Sequence, residues 1–266
     1  MKNSKLSKGL MVTAFGLAAA VGGTSPALAA AEFFQYDLNG FSGGGTTVTA
    51  NGIAGTSSEL LQAISATQFA GAGWIQFSAL TNNSSSIANT AYSDTGLYAT
   101  FTLSNTLTFG TFGQAISLYN LDSLNITLYR DVSGNNAFIQ GDAIANTAAS
   151  VTNMGDDVIL GTASLIPGTG TAALLTAGAA ALNAKLDVLL NGTGSTYFFD
   201  PNPFYAFAFA GFNATGGNFQ FDAVNGRLSV GNAIGAVDFN NVPEPASLAL
   251  IGLGLLGLAG SRRRSN

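Results

Sequence analysis

Leu97-Tyr98-Ala99-Thr100-Phe101-Thr102-Leu103 repeats with a period of two, and that period decides the fold. Successive side chains of an extended chain point to opposite faces. Leu97, Ala99, Phe101 and Leu103 therefore share one face, with Tyr98, Thr100 and Thr102 opposite. Downstream, Leu124, Ile126 and Leu128 alternate with Asn125, Thr127 and Tyr129. Upstream, Trp74 and Gln76 oppose Ile75, Phe77 and Ala79. Phe219 and Phe221 alternate with Gln220 and Asp222, and Asn225-Gly226 then signals a tight turn before Arg227-Leu228-Ser229-Val230. Tyr205, Phe207 and Phe209 line one face with Ala206, Ala208 and Ala210 on the other, a pattern expected of a strand covered on both faces. Only residues 171–190 carry helical character, and Gly178 with the β-rich stretch 186–190 argues against a long helix there. Short strands between Gly, Asn and Asp turns predict an all-β fold, a single β-sandwich or jelly-roll-like domain over residues 32–241.

Charge is distributed unevenly. Of nine basic residues, Lys2, Lys5 and Lys8 lie at the N-terminal end and Arg262, Arg263 and Arg264 at the C-terminal end. Arg130, Lys185 and Arg227 alone face thirteen acids between residues 32 and 242, a net charge of −10. Such a body has no basic patch to displace counterions from a phosphate backbone, so nucleic acid is not an expected partner. Divalent cations are the ions it would attract.

The chain has no histidine and no cysteine. The commonest general base, the imidazole and thiolate metal ligands, and disulfides are all absent with them. Two-carboxylate glycosidase chemistry needs only Asp and Glu, but the acids are mostly isolated Asp in turns, where side chains bond to nearby backbone. No enzyme activity and no catalytic residue are expected. Asp131, Ser133, Asn135 and Asp142 place oxygens at alternating positions, a loose version of a calcium loop. Asn136 stands where such a loop has glycine, and Asp142 where it ends in glutamate. A solvated turn is the ordinary explanation, and calcium is the one cofactor the pattern allows.

Residues 1–31 read as a secretory signal peptide. Three lysines precede an apolar run from Leu10 to Val21, and Ser25-Pro26 then leads to Ala27-Leu28-Ala29, with small Ala27 and Ala29 placed for cleavage after Ala29, and after Ala31 as the second choice. Residues 242–266 form a second such segment. Pro243-Glu244-Pro245 enters an apolar stretch from Ala246 to Gly260, followed by Arg262, Arg263 and Arg264. As a helix that stretch spans ~22 Å, short of a hydrocarbon core of ~30 Å. The arginines would keep the extreme C-terminus cytoplasmic while the body lies outside the inner membrane.

This order of Pro-Glu-Pro, Gly/Leu-rich helix and arginine cluster resembles the PEP-CTERM sorting signal of Gram-negative bacteria. The resemblance implies an exosortase as processing partner, a transient stay of the C-terminal hydrophobic sorting helix in the inner membrane, and delivery to the cell surface or extracellular matrix. A second resemblance rests on the aromatic corner from Tyr197 to Tyr205, in which Asp200, Pro201, Pro203, Phe204 and Tyr205 form Asp-Pro-x-Pro-Phe-Tyr. With Leu128-Tyr129-Arg130-Asp131 and residues 157–163, it is similar to the flocculation-associated PEP-CTERM protein family from about Thr95 onward. That similarity implies a matrix protein needed for exopolysaccharide-dependent aggregation into flocs and biofilm. The alternative is a carbohydrate-binding module, calcium-assisted.

Overall fold

Strand after strand pairs with its successor along the chain. The computed structural model describes residues 33–40, 46–175, 179–214 and 218–239. In chain order the strands are β1 (Phe34–Asp37), β2 (Thr47–Ala50), β3 (Gly52–Ala63), β4 (Gln68–Asn82), β5 (Ser85–Ser86), β6 (Leu97–Phe109), β7 (Ser117–Arg130), β8 (Ala137–Ile139), β9 (Ser150–Thr152), β10 (Val158–Leu165), β11 (Thr171–Leu174), β12 (Ala180–Leu190), β13 (Phe198–Asp200), β14 (Phe207–Ala214), β15 (Phe219–Asp222) and β16 (Arg227–Asp238). β3, β4, β6 and β7 pair antiparallel in that order. β10 and β11 each lie between β7 and β12, one beyond the other, so they share a single place in the wall. β12 pairs with β14, β14 with β16, and β16 returns to β3. The ladder closes on itself as an up-and-down barrel of eight places. The expected all-β class holds, and the large antiparallel sheet joins at both sides. The facing layers of the expected sandwich are opposite walls of one sheet.

Alternation sorts the side chains as the sequence pattern demands. Leu97, Ala99, Phe101 and Leu103 are buried, as are Ile75, Phe77, Leu124 and Ile126. Thr102, Asn125, Thr162 and Ser164 are exposed on the outer wall. Apolar inside and polar outside is the reverse of a membrane-spanning barrel. No helix among the described residues is long and apolar enough to cross a membrane. Large inward side chains need small partners across the wall. A Cβ on Gly73 would come within 2.5 Å of the Phe101 ring and 2.2 Å of the Ser58 carbonyl oxygen.

Both ends of the barrel are stoppered by aromatics. At the end reached by Leu97, Arg130 and Val237, the small sheet β13-β1-β2 lays Phe34 and Phe198 over the opening, joined by Phe204 and Phe239. At the other end Phe112 stacks on Phe69 at 4.0 Å, with Phe221 edge-on to both.

Two local readings change. The helical character of residues 171–185 gives way to strands β11 and β12, and the β-rich 186–190 is strand as expected: every second residue of β12 from Ala180 to Leu190 faces inward, and pairing with β11 and β14 fixes the extended form. β14 is covered on one face only. Ala208, Ala210, Phe212 and Ala214 are its buried residues, while Phe207 and Phe209 are 44% and 41% exposed. The aromatic stopper already fills that end of the barrel, leaving room for methyl groups alone.

Candidate functional site

Between β7 and β10 the chain leaves the wall and folds back over its outside, carrying β8 and β9. Outward-facing Trp74 is buried beneath it and donates its indole N–H to the Ile139 carbonyl at 2.7 Å. Phe138 fills the space between Trp74, Tyr92 and Tyr98, meeting each ring edge-on. The Gly141 and Ala143 N–H groups donate to Ser58 Oγ and Ser229 Oγ, pinning the excursion to β3 and β16.

Asp131 opens this excursion and organises it. Its Oδ1 accepts from the Gly134 N–H at 2.7 Å and, at 3.4 Å, from Asn135 N–H and Ser133 Oγ. Its Oδ2 accepts from Tyr92 Oη at 2.5 Å and the Asn136 N–H at 3.0 Å. Burial opposes the charge, but these hydrogen bonds outweigh it and hold the carboxyl below its ordinary value. The loop closes on Asp131 rather than opening a ring of oxygens. Asp142 sits apart in its own turn, accepting from the Ile144 and Ala145 N–H groups at 2.8 Å. The carboxylate the structure does bring to this loop is Asp157, one of the adjacent pair Asp156-Asp157 that the sequence offers as an addition to it if folding joins the two segments. Its Oδ2 accepts from Tyr98 Oη and from Asn136 Nδ2. Burial and these carboxylates push the Tyr98 and Tyr92 hydroxyls well above the usual phenol range. Asp157 Oδ1 and Asn136 Oδ1 are buried without a hydrogen-bond partner. Among the described residues no group of three or more His, Cys, Asp or Glu side chains gathers to hold a metal ion.

The aromatic corner belongs to the stopper. Asp200 pairs with Gln35 and Tyr36 with Phe198 across β13 and β1. Phe204 packs against Phe34, Phe198 and Phe239, and Tyr205 Oη donates to the Phe33 carbonyl at 2.8 Å. Pro201 and Pro203 both follow cis peptide bonds. Asp200 is exposed at the end of β13. Arg130 ties this end together: it donates to the Thr95 and Leu38 carbonyls at 3.1 Å and to Tyr197 Oη at 2.5 Å.

Within the barrel lies a cavity of about 60 Å³, walled mainly by Leu, Ile, Ala and Phe but bordered by Ser57, Glu59 and Asn105. Burial pushes the Glu59 carboxyl up to about 7. Asn105 is buried and its Oδ1 has no partner. A space of this size holds a few waters.

Ala27, Ala29, Pro243, Glu244, Pro245, Arg262, Arg263 and Arg264 lie outside the described residues. Chain similarity bears on the last six. The barrel with its stoppered ends is a water-facing β body whose chain runs on past Phe239 into the apolar C-terminal segment. Residues 241–264 match the family model of the PEP-CTERM protein-sorting motif, and the chain carries that motif. It marks an exported protein, processed by an exosortase and directed to the cell surface of a Gram-negative bacterium. No curated protein and no solved structure matches the chain.

Proposed function

We propose that this protein is a non-enzymatic matrix component that supports exopolysaccharide-dependent cell aggregation. The carrying observation is the sorting motif at residues 241–264, joined to a body whose outer wall carries adjacent rows of hydroxyl and amide side chains. Thr100, Thr127 and Thr162 lie side by side across β6, β7 and β10, and the next row is Thr102, Asn125 and Ser164. Ser104 and Ser123 share a hydrogen bond at 2.7 Å in the row beyond. Such a face exchanges hydrogen bonds with a hydroxylated polymer without burying charge. The similarity of the 197–205 corner and its companions to the flocculation-associated family supports the same reading.

Deletion of the gene tests it, with aggregation scored separately from polysaccharide output. Cells are expected to stop aggregating while secreting normal amounts of polymer, and a copy lacking residues 243–266 is expected not to rescue them. Full aggregation in the deletion strain would remove the proposal. The second reading is a calcium-assisted carbohydrate-binding module. It is favoured by the unpartnered Asn136 Oδ1 and Asp157 Oδ1 beside Asp131. Glycan binding that disappears with EDTA and returns with calcium would select it.

A further inference from the structure

We propose that the barrel rests one end on the lipid surface while its tail is still in the membrane, through an apolar patch formed by Phe33, Leu189, Phe207 and Phe209. This rests on the sorting reading of residues 241–264 and adds a contact to it. The four side chains are 39%, 72%, 44% and 41% exposed.

The register sets Leu189, Phe207 and Phe209 close together, and a hydrogen bond from Tyr205 ties the Phe33 backbone to the same end. Phe207 pairs with Asp187 and Phe209 with Lys185 across β12 and β14, and the Val188 N–H donates to the Ala206 carbonyl at 2.7 Å. Leu189 follows Asp187 by two residues on the exposed face of β12, diagonal to Phe207, and the nearby Tyr205 hydroxyl bonds the Phe33 carbonyl. Single exposed apolar residues need no explanation, but a contiguous group of large ones does.

The chain's own path supplies the occupant. Phe209 pairs with Asp238, the last residue of β16, so the C-terminal segment departs from the edge of this patch. Seven residue steps separate Phe239 from Ala246, where the apolar run begins, and they reach at most ~25 Å. Whatever membrane holds that run therefore lies within this distance of the patch. The N-terminal end of the body is at the same place: the rings of Phe34 and Phe239 are 5.3 Å apart. Aromatic and aliphatic side chains at such a boundary move into the headgroup zone, as they do in interfacial belts. The patch is flanked by Asp187, Asp238 and Lys185, and the body is acidic, so contact rests on apolar burial and not on anionic lipid.

The absence of cysteine allows single labels to be placed without background. The chain with its tail retained is labelled with an environment-sensitive dye at Phe209→Cys, or at Leu118→Cys near the far end of β7 as control. Leu118 is also an exposed apolar site. Each is reconstituted into phosphatidylcholine vesicles containing brominated lipid and floated on a gradient. The dye at 209 is expected to lose most of its emission to bromine and the dye at 118 none, at low and high salt alike. A second pair of labels at Leu189→Cys, with and without F207S and F209S, is expected to show contact only when the two phenylalanines are present. Protein that floats with the 209 label unquenched overturns the lipid contact alone. Protein that fails to float overturns the membrane reading of the tail as well. Concentration-dependent self-quenching at 209 in place of bromine quenching assigns the patch to a second copy and likewise overturns the proposal.

Discussion

Asp131 shows how much of a loop one side chain can hold. Its two oxygens accept five hydrogen bonds, three of them from the N–H groups of residues 134–136. Asp131→Ala would strand these donors, an expected loss of about 2–4 kcal/mol in urea denaturation. A loss near zero would show that water replaces the carboxylate. The lowered carboxyl also has a pH signature: its stabilisation is present above its ordinary value of 3.8 and lost as pH falls through the depressed one. Glu59 has the opposite sign. Its folded value of about 7 lies above the ordinary 4.5, so between these values the folded state binds more protons than the unfolded. Stability therefore falls as pH rises from 4.5 to 7, by on the order of 3 kcal/mol, and levels off above. Glu59→Gln should abolish that fall, and urea midpoints measured across the window check it. A variant as pH-dependent as the parent would place the titration elsewhere.

At the scale of the element, the strongest ties are between segments distant in sequence. The excursion carrying β8 and β9 is held to the wall by the indole N–H of Trp74, by Ser58 and by Ser229. Trp74→Phe removes one of these bonds and leaves the Ile139 carbonyl unpaired. Hydrogen exchange in residues 131–157 should speed up selectively, with β6 and β7 unchanged. Exchange that rises equally everywhere would mean the excursion is no separate unit. The elements were legible in sequence to different depths. Period-two alternation identified β4, β6, β7 and β16, because burying one face of a strand writes itself into every second residue. It read 186–190 as β-rich but left residues 171–185 with helical character, because Ala and Leu serve helix and barrel interior equally. It took both faces of β14 as covered, because alternation tells that two faces differ but not whether the outer one is roofed over. There the alanines went inside, since Phe34, Phe198, Phe204 and Phe239 already occupy the space. Asp157 could be named from sequence as an addition to the Asp131 loop but not placed there, because the two meet through Asn136 only when the excursion returns to the wall.

For the whole molecule, the sorting motif makes a statement about mass. Exported protein from a strain with a working exosortase is expected to end near Pro243-Glu244-Pro245, and intact-mass measurement reads the terminus directly. Mature chains that keep residues 252–264 would refute processing there. Neither the closure of the barrel nor the placing of its ends could be read locally. The bond between β3 and β16 joins Gly52 to Asp238, and nothing near either residue announces the other.

That seam has one more consequence. An open sheet ends in a row of unpaired main-chain groups that a stranger's strand can extend, which is how fibres are templated. Here the last wall strand has spent its outer N–H and C=O groups on the first. Copies brought together therefore cannot add a strand to this wall, and contact between them across it runs side chain to side chain.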